Sequence, residues 1–379
     1  MEEKLLAGVL NEILRHKVSL DVAFKRVCSS KCARTSEERE RLYELSRAFV
    51  SDYVKLLCAA GKRVRPKVLA KMWLAGSFEV PPDPHCQLSV PQWLYDKMRN
   101  IMGEEAAKLF SAMSKRIWWV RANTLKAGEE RVRRKLEEEG VELEESQHFP
   151  YMFKILRTPK PVRTLRSVRE FLAIPHDIAS AAVVETLRPS RGERIVDACA
   201  APGIKTSLIV ALAEGDVKVT AVDISGKRMN VMKHLMKKMG IREGVIEYLV
   251  ADARRVKLER HDKALIDAPC SNTGAISKDP GLRVTLRPGK VEYYSGLQRE
   301  IVANISKYAD KIVYATCSLM PEEGEEVVSF ASRTLNLEPL WPSLPLCGSP
   351  YRGYDVKACR LYAHEHESEG FFIALLDKV

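Results

Sequence analysis

Arg194-Ile-Val-Asp-Ala-Cys-Ala-Ala-Pro-Gly-Ile-Lys-Thr206 is the stretch whose reading decides the fold. Arg194 to Asp197 is a short apolar run of strand type, Cys199 to Gly203 is a loop of small residues, and Ser207 to Ala213 continues with helical character. Outward toward the C-terminus the same alternation repeats. Val217 to Asp223, Ile246 to Asp252, Lys263 to Asp267 and Lys311 to Thr316 are short buried-type strands with helical segments between them, several ending in an acid. The expected fold class is α/β, a Rossmann-like domain with a mainly parallel sheet covered by helices on both faces. In such a sheet ligands bind beyond the carboxyl ends of the strands.

Upstream the pattern differs. Residues 1–80 read as an all-α bundle. Leu5, Leu6, Val9, Leu10, Ile13 and Leu14 form one apolar stripe, and Leu42, Leu45, Phe49, Tyr53, Leu56 and Leu57 form a second. Thr35 and Glu38 make a capping box before the second stripe, Gly61 is placed to end it, and Pro66 suits the first turn of a further helix to about Leu74. Val80-Pro-Pro-Asp-Pro-His85 breaks the chain. Residues 89–187 then read as a small α+β module, with strands at Ile117 to Asn123 and Tyr151 to Leu156 and a charged helix from Glu129 to Glu139. Residues 188–379 form the α/β domain.

The formal charge is +11, and residues 1–190 supply +9 of it with 34 basic and 25 acidic side chains. That asymmetry points to a polyanion held by the N-terminal half. Arg157, Lys160, Arg163, Arg166 and Arg169 follow one another without an intervening acid and form the candidate phosphate strip. Trp118 and Trp119 could stack on bases, although alternation along a strand puts one of them in the core. No apolar run approaches the roughly 18 residues of a membrane span, so a cytoplasmic protein without a membrane partner is expected. Nine cysteines without repeated spacing argue for reduced thiols and for no metal site.

The loop Cys199-Ala-Ala-Pro-Gly-Ile-Lys205 lets a ligand approach the backbone, and the following helix offers free amide donors. Asp223, twenty residues after Gly203, is placed to take ribose hydroxyls, Asp252 to lie near an adenine, and Asp267 near the reacting end. The loop lacks both G-x-G-x-x-G and the phosphate-loop spacing, so a cofactor without phosphates fits it better, and S-adenosylmethionine is the candidate. Arg228, in the helix after Asp223, completes the cofactor set with Cys199, Ala200, Ala201, Pro202, Gly203, Ile204 and Lys205. Cys270 in Asp267-Ala-Pro-Cys-Ser271 and Cys317 in Thr316-Cys-Ser318 add two thiols that could attack an electron-poor ring and serve a separate step of the same cycle. Spacing alone leaves open which of them attacks.

From about Ser89 onward these pieces, with Pro321-Glu-Glu323 and the closing Arg360-Leu-Tyr-Ala-His-Glu-His366 and Glu369-Gly-Phe-Phe372, resemble the Fmu/Sun-type RNA cytosine-5 methyltransferases. The N-terminal bundle is similar to the NusB-like domain that some members carry. The resemblance implies a class I methyltransferase domain, S-adenosylmethionine as methyl donor and methylation of cytosine carbon 5 in structured RNA, rRNA ahead of tRNA. It further implies Cys317 as the nucleophile, Cys270 as the release-step residue and Asp267 as the group that assists addition at ring nitrogen 3. A monomer without an obligate protein partner is expected. The competing readings are a DNA cytosine-5 enzyme and a non-catalytic RNA-binding assembly factor on the same scaffold. This chain departs from the family at Ile204, where a second glycine is usual, and at Asn272 in Ser271-Asn-Thr-Gly274.

Overall fold

The computed structural model describes residues 2–29, 32–61 and 64–378. By contacts the chain divides into two compact units: residues 1–116 with 272–290, and residues 117–271 with 291–379.

The first unit is helical. Its N-terminal helix, Glu2–His16, buries Leu5, Leu6, Val9, Leu10 and Ile13, the stripe legible in the sequence. These side chains share a core with Phe24, Leu42, Phe49, Leu56 and Leu69, and with Val284 from the returning segment. Thr35 caps its helix by accepting from the Glu38 amide at 3.0 Å. Glu38 reaches back to the Arg34 amide at 2.6 Å rather than to that of Thr35. The second stripe is carried by two helices, Ser36–Ser51 and Tyr53–Ala60. The break falls at Asp52, whose carboxylate accepts from Trp73 Nε1 at 3.0 Å and pairs with Lys55 at 3.1 Å. Gly61 ends the second of these in the left-handed region, and Pro66 opens the helix Pro66–Ala75. The proline-rich break holds one turn of helix, Pro84–Gln87, because Pro84 occupies a first-turn position.

The second unit holds two sheets. The smaller is antiparallel in the order β2-β3-β1-β4, built from β1 (Trp118–Ala122), β2 (Glu142–Glu145), β3 (Met152–Arg157) and β4 (Ala173–Pro175). The larger runs β10-β12-β9-β8-β5-β6-β7, and β11 pairs with β12. Its parallel strands are β5 (Arg194–Asp197), β6 (Lys218–Asp223), β7 (Ile246–Val250), β8 (His261–Asp267) and β9 (Ala309–Thr316). The antiparallel edge comprises β10 (Leu337–Leu340), β11 (Cys359–Leu361) and β12 (Phe371–Lys378). The chain winds from β5 outward to β6 and β7, then returns to place β8 and β9 on the other side of β5. The reversal between β5 and β8 opens a crevice at the carboxyl ends of these strands, where Asp197 and Asp267 lie. The expectation of an α/β, mainly parallel sheet is met.

The expectation of reduced thiols throughout is corrected. Cys28–Cys32, Cys58–Cys86 and Cys347–Cys359 are disulfide pairs, with Cα atoms 5.2, 6.0 and 5.2 Å apart, inside the reach of a disulfide. Folding brings together cysteines whose sequence spacing shows no framework. Cys199, Cys270 and Cys317 are the thiols outside these pairs. No helix among the described residues is long and apolar enough to cross a membrane.

Candidate active site

β5 delivers Asp197 into a loop that contains a cis Ala201-Pro202 bond and ends at Gly203, whose φ of +97° needs glycine. A Cβ there would also sit 2.7 Å from Met236 Cε and 2.9 Å from Met232 Cγ. Ile204 is the first residue of the helix Ile204–Leu212 and does not have positive φ, so this position makes no demand for glycine. Cys199, partly exposed, sits in the loop. Burial, then the charges of Asp197, Asp267 and Asp223, push its thiol well above the usual cysteine range.

The strand-end acids have distinct surroundings. Asp223, at the end of β6 and 4% exposed, accepts from the Ala201 amide at 3.2 Å and the Ser225 amide at 2.9 Å, tying the loop to the next strand. Arg228 lies 3.4 Å from the same carboxylate and donates to the Ala201 carbonyl. Asp252 is gripped by Arg254, whose Nη2 lies 2.6 Å away and holds the carboxyl below its usual range. Asp267 pairs with Lys205 Nζ at 2.7 Å, and Lys205 also faces the Phe371 ring. That oxygen of Asp267 is an acceptor in this arrangement. Asp197, whose sequence position reveals no role, is fully buried. Burial, reinforced by the charge of Asp267 and opposed by the Thr206 hydroxyl at 2.7 Å, raises its carboxyl to about 7. Its second oxygen has no hydrogen-bond partner among the described residues.

The two cysteines meet. β8 and β9 are parallel neighbours with Asp267 opposite Ala315, so the loops that follow them run side by side. The Cys270 and Cys317 sulfurs lie 3.4 Å apart, Cys270 buried and Cys317 partly exposed. Beneath them lies a residue whose role the sequence did not reveal. Glu323, fully buried, accepts from the Ser271 amide at 2.8 Å and from the hydroxyls of Ser271 and Ser318, each at 2.5 Å. It therefore clamps the residue after each cysteine. Gln298 joins the clamp by donating to Glu323 at 3.2 Å and to the Pro269 carbonyl at 2.9 Å. Burial raises the Glu323 carboxyl, and these donors oppose the rise. One residue further, Gly324 admits the buried Arg360–Glu325 pair: a Cβ at 324 would lie 2.7 Å from Arg360 Nη2. Arg360 bonds Glu325 at 2.6 and 2.8 Å and the Ser318 carbonyl at 2.8 Å, between the rings of Tyr351 and Phe372. Tyr294, raised by burial and then by its neighbour Cys270, remains a donor at neutral pH.

The basic strip looks different in space from how it reads in sequence. Arg157 lies 3.5 Å from Glu142, Lys160 3.4 Å from Glu139 and Arg166 2.7 Å from Glu170. The acids come from other elements or the next turn, so the strip's own sequence could not show them. Arg163 and Arg169 lie on the same surface segment. Of the tryptophans, Trp119 is buried and donates to the Glu367 carbonyl at 2.8 Å, while Trp118 packs against the core's edge. Cys58, His85 and Cys86 bring their ligand atoms within 4.8 Å of one another, but the two sulfurs are bonded together.

A reversing parallel sheet, a small-residue loop before a helix and acids at successive strand ends define a class I S-adenosylmethionine-dependent methyltransferase fold. The chain belongs to the RsmB/F methyltransferase family: residues 184–377 match the model described as 16S rRNA methyltransferase RsmB/F, and residues 90–163 match the ferredoxin-like domain of RsmF/B-like methyltransferases. It is 31% identical over 297 residues to ribosomal RNA small subunit methyltransferase B of Photorhabdus laumondii, and 32% identical to the protein of that name from Klebsiella pneumoniae. The match covers 76% of this chain and 66% of each relative. The crystal structure of PH0851 superposes with a TM-score of 0.83 at 26% identity, covering 100% of this chain and 98% of that one. NSun6 from Pyrococcus horikoshii, solved with SFG, shares the fold over 77% of this chain and 99% of its own, with a TM-score of 0.70 at 23% identity. The cofactor is S-adenosylmethionine, and the residues present fit it. Carboxylates at the strand ends suit hydroxyl and amine donors and would repel phosphates.

Proposed function

We propose that the protein methylates carbon 5 of cytosine in structured RNA, rRNA ahead of tRNA, through a covalent adduct on Cys317. The observation that carries this reading is the pair of sulfurs 3.4 Å apart beside Asp267, at the carboxyl ends of two adjacent parallel strands. Methylation of a ring nitrogen or a ribose oxygen has no use for a thiol, and two thiols match a cycle that must form and then break a carbon–sulfur bond. The names of the relatives, small subunit rRNA methyltransferases, support RNA over DNA.

Bound S-adenosylmethionine supplies an electrophilic methyl group on a sulfonium. The loop Cys199 to Gly203 with Ile204 and Lys205, together with Asp223, Arg228, Asp252 and Asp267, would hold it. Cys317, the more accessible thiol, adds as thiolate to carbon 6; the sulfur–carbon bond forms and the electrons of the 5,6 double bond make carbon 5 nucleophilic. Asp267 holds ring nitrogen 3 during addition and keeps Lys205 in place. Once carbon 5 carries the methyl group, Cys270 as thiolate takes its proton, the 5,6 double bond re-forms and the Cys317 sulfur leaves with its electron pair. Cys270, touching that sulfur, assists this release. Glu323 fixes both loops while they work.

RNA carrying 5-fluorocytosine tests the reading, because fluorine cannot leave as a proton and the adduct stalls. Wild-type protein should form a complex that survives denaturing electrophoresis, Cys317→Ser none, and Cys270→Ser should accumulate adduct on ordinary RNA. Reversed behaviour of the two variants would exchange the roles. A complete lack of adduct with RNA, against trapping by DNA, would favour the DNA enzyme.

A further inference from the structure

The helical unit contains a cavity of about 720 Å³ that no part of the methylation chemistry uses. Its wall combines aliphatic side chains with the rings of Tyr53 and Trp93 and three cations, Lys17, Arg283 and Arg287, and among the described residues it includes no carboxylate. Two donors in this wall are buried without an acceptor among the described residues: Trp93 Nε1 and Arg283 Nε. Arg283 is 3% exposed; its other nitrogens donate to the carbonyls of Leu88, Ser89 and Met113, so only Nε is left over. Asp52, the acid that Arg283 feels, is already engaged by Trp73 and Lys55. Lys17 and Arg287 are exposed at the rim, and together with burial they depress the neighbouring Lys290, which places three cations within reach of one another. Like charges gathered without a carboxylate in the wall among the described residues repel, so the cavity is complementary to an anion with an aromatic body.

We propose that this cavity takes a single unstacked nucleotide of the RNA substrate, its base beside the rings of Tyr53 and Trp93 and its phosphate between Lys17 and Arg287. The proposal rests on the reading that the substrate is RNA. A volume of this size accommodates one nucleotide, and stacking combined with a phosphate interaction is how unpaired RNA is usually held. Helix Glu2–His16 supplies Lys17 one residue past its end, and the segment that leaves Cys270 supplies Arg283 and Arg287.

The test uses the full-length protein saturated with S-adenosylmethionine, which occupies the other site able to hold a nucleoside. Uridine and adenosine 5′-monophosphates are titrated by calorimetry, with octyl phosphate and inorganic phosphate as controls. The variant Lys17→Asn with Arg287→Gln removes both rim charges; asparagine tolerates the left-handed backbone at 17 (φ 53°), so the fold is kept. The monophosphates should bind, the double variant should weaken them about tenfold, and the controls should bind at least that much more weakly. In the trapping assay the double variant should need about tenfold more RNA for half-maximal adduct, with the same maximum. Equal binding of octyl phosphate, unchanged affinity in the double variant, or no monophosphate binding would each overturn the proposal. Monophosphate binding without any RNA adduct would overturn the methylation reading instead.

Discussion

Asp197 shows how one buried residue makes the fold depend on pH. Its carboxyl is raised from an ordinary value near 3.8 to about 7, chiefly by burial. A raised acid is protonated in the folded protein while it is already ionised in the unfolded chain, so between about pH 4 and 7 the folded state holds more protons. Stability is then greatest below the unfolded value and falls as pH rises to 7. Asp197→Asn keeps the acceptor for Thr206 and removes this dependence. Urea unfolding should find the variant stabilised relative to wild type at pH 8, with the gain shrinking as pH approaches 4. At the other end of the loop, Gly203→Ala meets both a positive φ and two methionine side chains, and should cost about 1–3 kcal/mol of stability and weaken S-adenosylmethionine binding. Ile204→Gly should bring no gain in cofactor affinity and cost about 1 kcal/mol in the helix, because Ile204 already has helical backbone. Calorimetric titration of both variants checks the pair.

At the scale of elements, β8 and β9 aim the cysteines, and the turn Pro321–Glu323 keeps them aimed. The parallel register of those strands would bring the two loops near each other without fixing the sulfurs to within a few tenths of an ångström. Glu323 adds that precision by holding Ser271 and Ser318 on one carboxylate. Removing it takes the acceptor from the Ser271 amide and loosens both serine hydroxyls, at a cost of about 1–3 kcal/mol for a buried donor left unsatisfied. Glu323→Ala should therefore slow adduct formation about a hundredfold while S-adenosylmethionine affinity stays near wild type. Glu323→Gln keeps an acceptor for the Ser271 amide, and the serine hydroxyls can turn to accept from its amide, so it should recover much of the rate. A uniform loss of binding and rate in both variants would mean that the residue serves folding alone. The strands and the Cys-Ala-Ala-Pro-Gly loop were legible because their signals are local: apolar runs, small residues, an acid at a strand end. The clamp was not, since Glu323 is six residues from Cys317 but 52 from Ser271, and only the completed sheet brings the three together.

Across the whole molecule, the sequence conveyed the class of fold and the order of its parts, and it misjudged what distant segments do to one another. Six cysteines read as reduced form pairs because folding closes loops that spacing does not advertise. The five basic residues from Arg157 to Arg169 read as an uninterrupted strip, yet Glu142, Glu139 and Glu170 stand beside three of them. Conversely, Lys17 and Arg287 are 270 positions apart and suggested nothing in sequence, but line one cavity. The formal charge of +11 therefore does not by itself mark out a phosphate-binding surface. Salt dependence separates the two surfaces, because every phosphate that a protein ceases to neutralise lowers the slope of log affinity against log salt by about 0.7 for single-stranded RNA. Lys17→Asn with Arg287→Gln should reduce the slope by about 0.7, one phosphate's worth. Replacing Arg157, Lys160 and Arg166 by glutamine should reduce it by less than that, since each must first leave an acid before it can meet a phosphate, and exposed pairs exchange at little net gain. RNA binding measured from about 50 to 300 mM salt decides the matter: a larger drop in slope for the strip variant would locate the principal phosphate-binding groups on residues 157–169 and away from the helical cavity.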